Sequence, residues 1–258
     1  MAKVNKKKIS VCLATYNGEK YIFEQLESIL QQLSESDEII ISDNGSTDNT
    51  IEIILNFNDN RIKLFNHKSK VKFSKPHYSI SDNFHNTLKY ISGDWVFLAD
   101  QDDVWEKNKV EEICKYFEFY DLVISNYSII DESGVQKKLN NFEKINFNKY
   151  VFWHCYQPVY HGCTMAFKRK MLDIILPFPS KLILHDSWIG ILISYFGKRI
   201  VLENNFLVKY RRHQNNISFF NEKSNNSLLF KLFYRCQLLV QLYCRIAKIK
   251  FDRSKIEF

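Results

Sequence analysis

Three carboxylates stand within four residues at Asp100-Gln101-Asp102-Asp103, directly after the apolar residues 95–99. Carboxylates this close repel one another unless a positive group neutralises them. Clusters of carboxylate oxygens suit Mg²⁺ or Mn²⁺, which are commonly held by one or two carboxylates together with phosphate oxygens. A solvated turn in which one Asp caps the following helix is the alternative. The apolar run before the cluster favours the metal site, although an Asp-x-Asp pattern alone is a weak signal.

A second polar segment, Asp43-Asn-Gly-Ser-Thr-Asp48, follows the apolar residues 38–41. One of Ser46, Thr47 and Asp48 is expected to cap the next helix, but capping leaves Asp43 unexplained. The carboxylate of Asp43 is suited to accept a hydrogen bond from a base N–H or a ribose hydroxyl. The segment is therefore a candidate for nucleotide binding.

His185-Asp186 and Tyr210-Arg-Arg-His213 are the remaining candidates for chemistry. Asp186 precedes an apolar helix and is either its N-cap or a general base that takes a proton from an attacking hydroxyl. Arg212 and His213 can grip a diphosphate, and a neutral His213 imidazole can instead ligate a metal ion. An exposed basic turn is the alternative for the second segment.

The hydrophobic pattern predicts the elements that must hold these residues. Short apolar runs predict strands at 9–14, 38–41, 61–65, 95–99, 122–126, 162–167, 200–202 and 206–210, and helical spacing predicts helices at 19–32, 50–56, 82–91 and 186–196. Asp82 and Gly93 are expected to cap the third helix. Strands that alternate with helices indicate a parallel α/β sheet, in which ligands bind beyond the carboxyl ends of the strands. Residues 15–17, 43–44 and 100–103 should therefore converge on one edge.

Composition and charge exclude several classes of protein. The 258 residues are 45% hydrophobic and 25% charged, which is typical of a globular domain and excludes a disordered chain or a small disulfide scaffold. The net charge is +7, yet the basic excess lies in residues 1–8 and 221–258 and leaves an acidic body, so no nucleic-acid partner is expected. The six cysteines show no C-x-x-C spacing. Their pattern leaves zinc and redox sites unsupported and predicts reduced thiols in a cytosolic protein.

Five motifs, in this order along the chain, resemble the family-2 glycosyltransferases of the GT-A fold. They are Ala14-Thr-Tyr-Asn-Gly18, Ile41-Ser-Asp-Asn-Gly-Ser-Thr-Asp48, Leu98-Ala-Asp-Gln-Asp-Asp-Val-Trp105, His185-Asp186 and Tyr210-Arg-Arg-His213. The Asp-Gln-Asp-Asp-Val-Trp form is similar to bacterial enzymes of O-antigen and capsule assembly, including rhamnosyl- and glucosyltransferases. The resemblance covers residues 8–215 and implies a Rossmann-like, mostly parallel nucleotide-binding sheet flanked by helices.

The resemblance also implies roles for particular residues. Asp102 would hold Mn²⁺ or Mg²⁺ against the diphosphate of the donor, with His213 as a second ligand, and Asp186 would be the catalytic base. His185 and Trp188 would lie near the acceptor. The nucleotide-sugar itself would contact Ala14, Thr15, Asn17, Glu19, Asp43, Asn83, Asp100 and Arg212.

These roles imply an inverting, metal-dependent transferase that moves a sugar from a UDP- or dTDP-linked donor to a hydroxyl of a lipid-linked (polyprenyl-diphosphate) saccharide. Two positions depart from the family pattern, because Asn44 replaces a common Asp and His185 stands where Glu is usual. A sugar-phosphate nucleotidyltransferase is disfavoured, since residues 15–18 lack a Gly-rich basic loop. A non-catalytic sugar-nucleotide-binding protein of the same fold is the other alternative.

The basic C-terminal segment is expected to form an amphipathic helix. We divide the chain into a basic tail at 1–8, a GT-A domain at 9–215 and a helical extension at 216–258. At helical spacing Leu238 and Leu242 interrupt a polar side of the extension formed by Lys231, Arg235, Gln241, Arg245 and Lys248. The other side carries Leu229, Leu232, Phe233, Leu239, Val240 and Tyr243. This helix can meet an anionic membrane surface, its own domain or the second subunit of a homodimer.

No stretch of the sequence has the pattern of a signal peptide or the length of an apolar membrane span. The expected location is therefore the cytoplasm, peripheral on the inner face of the bacterial plasma membrane, where a lipid-linked acceptor would be found.

Overall fold

The computed structural model describes residues 7–67, 76–139, 150–214, 216 and 227–254. The strands are β1 (Ile9–Thr15), β2 (Glu38–Asp43), β3 (Ile62–Asn66), β4 (Trp95–Asp100), β5 (Val104–Trp105), β6 (Leu122–Ile130), β7 (Gln136–Leu139), β8 (Met165–Lys168) and β9 (Arg199–Arg211). The α-helices are α1 (Ile22–Leu30), α2 (Thr50–Asn56), α3 (Pro76–Leu88), α4 (Lys109–Cys114), α5 (Leu172–Ile175), α6 (His185–Phe196) and α7 (Leu228–Ser254). Short 3-10 helices occur at Val151–Cys155, Gly162–Thr164 and Arg169–Met171.

The strands form one mixed sheet in the order β3-β2-β1-β4-β8-β6-β9-β5, and β7 pairs with β6. Strands β3, β2, β1 and β4 run parallel to one another. β8 is antiparallel to β4 and to β6, whereas β9 is parallel to β6. The observed sheet confirms the α/β class with a mostly parallel first half, as the alternation of strands and helices predicts.

Both faces of the sheet are covered, which explains why its strands are nearly continuous apolar runs. Alternate residues of β1 enter different clusters, since Val11 and Leu13 pack with α1 and α2 while Cys12 packs with α3 and α6. Phe97 and Leu98 of β4 divide in the same way. None of the six cysteines, all of which lie within the described residues, forms a disulfide bond.

Several predicted boundaries are wrong, for identifiable reasons. Asp82 does not cap α3, because that helix begins at Pro76 and the Asp82 carboxylate instead lies 2.9 Å from His67 Nε2. The strands expected at 200–202 and 206–210 are one strand, β9, which crosses a shift of register opposite β6 at Asn126. The polar residues 203–205 look like a turn in the sequence, but the shift of register accommodates them within the strand.

The predicted N-terminal tail and C-terminal extension both touch the body. Lys8 Nζ lies 3.2 Å from Glu38, and the Lys8 carbonyl accepts the N–H groups of Asp94 and Trp95. Residues 1–6 lie outside the described residues, as do 217–226 and 255–258 of the extension. The three-part division of the chain stays a prediction.

Helix α7 docks on the body through the side that the sequence marked as polar. Its buried residues are Leu238, Leu242, Ile246 and Ile249, which join the core cluster beside α6. On the same side Arg245 donates to the carbonyls of Asp173, Ile174 and Leu176, where α5 ends. The two leucines that interrupt the polar side are therefore its docking contacts. Within the described ranges, no helix combines the length and the apolar character that a membrane-spanning segment needs.

Candidate functional site

The ends of β1, β2 and β4 lie side by side at one edge of the sheet. Thr15 at the end of β1 pairs with Asp43 at the end of β2, and Ala14 pairs with Asp100 at the end of β4. The predicted convergence of the three polar segments is confirmed. Loops that leave these strand ends meet at this edge, which is where parallel α/β sheets bind ligands.

Asp43 organises the loop that follows β2. Its Oδ1 accepts the N–H groups of Gly45 and Ser46 at 2.9 and 2.8 Å, and its Oδ2 accepts the Thr15 hydroxyl at 2.8 Å and the Ser46 hydroxyl at 2.5 Å. Gly45 has φ +82°, a conformation that glycine adopts without strain. Both oxygens of the buried Asp43 carboxylate thus have two donors each. In this structure Asp43 shapes the loop rather than offering a vacant acceptor to a nucleotide.

The loops after β1 and β2 are tied together by side chains. Asn17 donates its N–H to Ser46 Oγ at 2.8 Å and accepts the Thr47 N–H on its Oδ1 at 2.8 Å. Glu19 accepts the backbone and side-chain N–H groups of Asn49 at 3.0 and 2.9 Å. Asn17 and Glu19 therefore hold two loops in one rigid rim, a role that the sequence did not distinguish from direct contact with a nucleotide.

Gln101 links the loop after β4 to the loop after β1. Its amide accepts the Tyr16 N–H at 2.8 Å and donates to the Tyr16 carbonyl at 3.1 Å, as a neighbouring strand would. A Cβ at Gly18 would lie 2.5 Å from Gln101 Oε1, so a larger residue at this position would displace the Gln101 amide. The link therefore holds the loop after β4 against the rim formed by the loops after β1 and β2.

Asp102 and His213 meet at this edge, as the sequence predicted for a shared metal ion. Asp102 Oδ2 lies 2.8 Å from His213 Nε2 and 3.2 Å from Asn216 Nδ2. The His213 ring packs on Tyr21 with centroids 4.9 Å apart. Two ligands on adjacent corners of an octahedral Mg²⁺ site are about 3 Å apart, so the separation of these two atoms is compatible with a shared divalent ion. The imidazole nitrogen favours Mn²⁺ over Mg²⁺, which prefers oxygen ligands.

A second group close to Asp102 is formed by Asp100, which is partly buried, and by the buried Asp103 and Cys163, and the ligand atoms of these three residues all lie within 4.8 Å of one another. Burial, followed by the charges of Asp102 and Asp186, raises the pKa of Asp100 to about 7. Burial, followed by the charges of Asp102 and Asp100, raises the pKa of Asp103 well above its usual value. This group is less suited to Mg²⁺ or Mn²⁺ because a thiolate prefers softer ions.

Lys109 supplies positive charge to this second group. Its side chain is inaccessible to solvent, its Nζ donates to the Cys163 carbonyl at 2.7 Å, and it lies 4.1 Å from the centre of the Trp105 ring. Burial lowers the Lys109 pKa to about 7, while the charges of Asp103 and Asp100 oppose the change. Sequence reasoning missed Lys109, because a lysine in the first turn of a short helix normally stays in solvent.

Arg211 is the second residue that sequence reasoning missed. Its guanidinium, almost fully buried, donates to the carbonyl of Asp102 at 3.0 Å, to those of Asp131 and Glu132 at 3.4 and 3.1 Å, and to the Glu24 carboxylate. Its backbone N–H donates to Asp103 at 3.0 Å. Arg211 therefore joins α1, the loop after β4 and the β6–β7 turn. Arg211 belongs to the motif Tyr210-Arg-Arg-His213, but the sequence pattern did not show which of its two arginines is buried.

Asp186 lies in the first turn of α6, next to the buried carboxylates. The N-cap of α6 is Leu184, so Asp186 is not the cap that the sequence offered as an alternative. Burial raises its pKa to about 6, against hydrogen bonds from the N–H groups of Ser187 and of Asp186 itself. Because its charge also raises the pKa of Asp100, the two carboxylates share one electrostatic environment. A carboxylate with a pKa near neutrality is suited to act as a general base.

His185 is held as a neutral ring. Burial lowers its pKa to about 3, its ring stacks on Phe84 with centroids 4.3 Å apart, and its buried Nε2 has no hydrogen-bond partner among the described residues. Trp188 is a core residue, 1% exposed, whose indole N–H donates to the Ile175 carbonyl at 2.9 Å. This burial argues against the predicted contact of Trp188 with an acceptor. The expectation arose because helical spacing alone did not show that Trp188 faces the core.

The other predicted nucleotide contacts lie at the same edge. Asn83 donates to the Thr15 carbonyl at 3.1 Å, and its buried Oδ1 has no partner among the described residues. Arg212 donates its backbone N–H to the Ile130 carbonyl at 2.9 Å. Burial raises the pKa of the nearby Tyr127 hydroxyl, and the charge of Arg212 opposes this increase. The structure therefore brings together polar donors, a candidate metal pair and a candidate base.

Comparison with known proteins agrees with this arrangement. Residues 10–176 match the model of the family described as Glycosyl transferase family 2. The chain is 29% identical over 81% of its length to WfgD of Escherichia coli, described as UDP-Glc:alpha-D-GlcNAc-diphosphoundecaprenol beta-1,3-glucosyltransferase, 79% of which is covered. It is 28% identical over 79% of its length to dTDP-rhamnosyl transferase RfbG of Shigella flexneri, 72% of which is covered.

Solved structures show the same fold. TarS from S. aureus in complex with UDP-GlcNAc superposes with a TM-score of 0.64 at 19% identity, over 92% of this chain and 72% of that chain. Glucosyl-3-phosphoglycerate synthase from Mycobacterium tuberculosis, solved with Mn²⁺, UDP and glucosyl-3-phosphoglycerate, superposes with a TM-score of 0.57 at 21% identity, over 93% of this chain and 80% of that chain. In the crystal structure described as S. aureus TarS 1-349, 60% of the solved chain is covered. These likenesses establish the GT-A fold.

Arg211→Lys tests whether the buried guanidinium positions Asp102. Lysine keeps the charge but cannot donate to several acceptors at once. We expect the free energy of unfolding, measured in urea, to fall by roughly 3 kcal/mol. Because Asp102 would lose a hydrogen bond that fixes its backbone, Mn²⁺ measured by titration in the presence of UDP should bind about tenfold more weakly.

The matched control is Glu24→Gln, which leaves a neutral acceptor for Arg211. The Glu24 side chain is 53% exposed, so this change should cost less than about 1 kcal/mol. If Arg211→Lys left both stability and Mn²⁺ affinity unchanged, the positioning role of Arg211 would be wrong.

Proposed function

The chain belongs to glycosyl transferase family 2, and from this premise we propose that it is an inverting hexosyltransferase. Its donor is a UDP- or dTDP-linked sugar, and its acceptor is a hydroxyl of a lipid-linked (polyprenyl-diphosphate) saccharide in bacterial O-antigen or capsule synthesis. The observation that carries this proposal is the meeting of the strand ends at Thr15, Asp43 and Asp100 with Asp186 at one edge of the sheet.

The rim formed by the loops after β1 and β2 is the proposed nucleotide site. Thr15, Asn17 and Glu19 hold its shape, and Asp43 fixes the loop between them. Ala14, Asn83, Asp100 and Arg212 complete the proposed contacts with the nucleotide-sugar. The buried Asn83 Oδ1, which has no partner among the described residues, supports a donor contact there.

Asp102 and His213 are the proposed ligands of Mn²⁺ or Mg²⁺, supported by the 2.8 Å separation of Asp102 Oδ2 and His213 Nε2. A divalent ion at this pair would neutralise the charge that develops on the departing nucleoside diphosphate. Arg211 and Tyr21 keep the two ligands in place. The raised pKa values of Asp100 and Asp103 reduce their negative charge near neutral pH, and Lys109 interacts favourably with the charge that remains, so Asp102 is not exposed to the full repulsion of two ionised neighbours.

Asp186 is the proposed general base. It takes the proton of the acceptor hydroxyl as that oxygen bonds to the anomeric carbon, and the bond from that carbon to the diphosphate oxygen breaks. Attack from the face opposite the diphosphate inverts the anomeric configuration in one displacement. The raised pKa of about 6 supports this role, since a base of this strength is ionised at neutral pH and still accepts a proton readily. His185, as a neutral ring beside Asp186, is the proposed neighbour of the acceptor.

The lipid-linked acceptor is supported by the relative WfgD, whose description specifies a diphosphoundecaprenol acceptor. A peripheral position on the cytoplasmic face of the plasma membrane would bring the strand edge to such an acceptor. A homodimer is a further proposal.

Two alternatives predict different chemistry. A sugar-phosphate nucleotidyltransferase would need basic residues in the loop after β1, where the structure has Tyr16, Asn17 and Gly18. A non-catalytic nucleotide-binding protein would not need a carboxylate with a raised pKa next to the donor site. The raised pKa of Asp186, close enough to Asp100 for the two charges to interact, favours the transferase over both.

Donor binding can be tested by thermal shift with UDP-, dTDP- and GDP-sugars, each with Mn²⁺ or with EDTA. A ligand at 100 times its dissociation constant stabilises the folded state by about 2.7 kcal/mol, which a melting curve detects. We expect a shift with a UDP- or dTDP-sugar that EDTA or Asp102→Asn abolishes. Asp252→Asn, a neutralised carboxylate on the exposed part of α7, is the control that should keep the shift. A shift independent of metal in all proteins would refute the role of Asp102.

Asp186→Asn should abolish transfer and retain the donor-dependent thermal shift. In the native protein the transfer rate should rise with pH through about 6 and then level, because only the ionised carboxylate accepts a proton. Stability should respond in the opposite direction. The folded state holds a proton on Asp186 up to about pH 6 whereas the unfolded chain loses it near pH 4, so ionisation destabilises the folded state as pH rises through this window.

Asp186→Asn should therefore raise the melting temperature at pH 7.5 and leave it nearly unchanged at pH 4. Transfer at the native rate by Asp186→Asn, at any pH, would show that another group is the base.

A further inference from the structure

The outward face of α7 is apolar along most of the helix. Its residues include Leu229, Leu232, Phe233, Leu239, Val240 and Tyr243, with 41–80% of each residue exposed, and Cys236 and Cys244 are also exposed. We call this set of residues the outer face. A row of large apolar side chains on one helix is far more than the scattered exposure found on ordinary protein surfaces, and such patches mark interaction sites.

Docking of α7 on its own domain does not use the outer face. The opposite side supplies the buried contacts of Leu238, Leu242, Ile246 and Ile249. Polar side chains anchor the same side, since Gln237 and Gln241 donate to the carbonyls of Lys181 and Ser180 at 3.1 and 3.3 Å. The helix is therefore held with its outer face directed away from the body, and none of these docking contacts involves a residue of the outer face.

Aromatic residues next to α7 extend the outer face. The 3-10 helix Val151–Cys155 contacts α7, and Phe152 lines an apolar groove together with Leu239, Val240 and Tyr243. Trp153 and Tyr156 nearby are both more than half exposed, and Arg235 lies 4.8 Å from the centre of the Tyr156 ring. Tryptophan and tyrosine are the residues that proteins place at the boundary between a bilayer and water.

The charge of α7 distinguishes among partners. The helix carries six basic residues and one acidic residue, Asp252. Lys250 and Arg253 lie over the rings of Tyr195 and Phe196 at 5.3 Å each, at the end of α6, and Lys248 is exposed. A second copy of this chain would bring the same positive charge against itself, whereas a surface of anionic lipids is complementary to it.

We propose that the outer face of α7, with the exposed aromatic residues near Val151–Cys155, binds the surface of an anionic lipid bilayer. The helix lies in the plane of the interface, the apolar side chains enter the boundary between headgroups and acyl chains, and the exposed Lys248, Lys250 and Arg253 reach lipid phosphates at its edge. The inference deepens the proposed function by naming the surface that would carry the enzyme to a lipid-linked acceptor, and for that purpose it rests on the proposed function.

The contacts of α7 relate this surface to the candidate site. Gln237, in the first half of α7, donates to Lys181, five residues before Asp186, while Arg253 near its end reaches Phe196, the last residue of α6. The two helices therefore run in the same direction, and the first half of α7 lies beside the segment that leads into α6 and to Asp186.

Vesicle sedimentation of the full chain tests the proposal, with phosphatidylcholine vesicles that contain or lack phosphatidylglycerol. We expect binding to the anionic vesicles, weakening with added salt. The double variant Phe233→Ser/Val240→Ser should reduce binding by about tenfold or more, because two apolar side chains no longer enter the lipid. Lys248→Gln/Lys250→Gln should reduce it by about fivefold per charge.

The matched control is Phe119→Ser/Leu55→Ser. Phe119 and Leu55 are 65% and 62% exposed, close to the 58% and 62% of Phe233 and Val240, and lie on other elements. This control should bind vesicles as the native protein does. Unchanged melting temperatures would show that all variants fold.

Two results would overturn the proposal. One is equal binding by Phe233→Ser/Val240→Ser and the control. The other has two parts: the native protein binds neither kind of vesicle, and sedimentation equilibrium shows a dimer for the native protein but a monomer for Phe233→Ser/Val240→Ser. That result would make the outer face a contact between two copies of the chain. The thermal shift with a nucleotide-sugar separates the two proposals, because it should be equal in all these variants. Its absence with vesicle binding intact would count against the transferase and not against the outer face.

Discussion

Mutual repulsion among Asp100, Asp102 and Asp103 is the constraint around which this end of the molecule is built. Three carboxylates in four residues cannot be placed at the end of a buried strand without nearby compensation. Lys109 brings an ammonium to the buried side, and the backbone N–H of Arg211 binds Asp103. Asp102, left at the accessible side, faces His213. The compensation thus separates Asp100 and Asp103, which interact with Lys109, from Asp102, which pairs with His213.

The same constraint explains why distant parts of the chain meet here. Arg211, at the end of the last strand, binds carbonyls in the loop after β4 and in the β6–β7 turn, and also Glu24 of α1. Rigid loops after β1 and β2 complete the edge through Asn17, Glu19 and Asp43. A site of this kind gains its selectivity from groups fixed in advance rather than from groups that reorganise when a ligand arrives.

Local pattern predicted the buried strands and the convergence of their ends, because such strands are continuous apolar runs and polar residues mark where they stop, but it missed the short strands β5 and β7. Pairing across the chain could not be predicted in this way. The burial of Lys109 and Arg211 depends on contacts with residues 54 and about 80–190 positions away. The burial of Trp188 could not be predicted either, because it depends on a hydrogen bond to the carbonyl of Ile175, which belongs to a different helix. For α7, the pattern identified two sides, but the choice of docking side was set by Leu238, Leu242 and the carbonyls of α5.

The measurement that tests the central claim most directly is NMR spectroscopy of the complete reaction with a nucleotide-sugar, Mn²⁺ and a lipid-linked saccharide. The account predicts release of a nucleoside diphosphate in step with a new glycosidic bond, whose anomeric configuration is opposite to that of the donor. Release of pyrophosphate would indicate a nucleotidyltransferase, and retained configuration would exclude a single displacement assisted by Asp186. Either result would contradict the account.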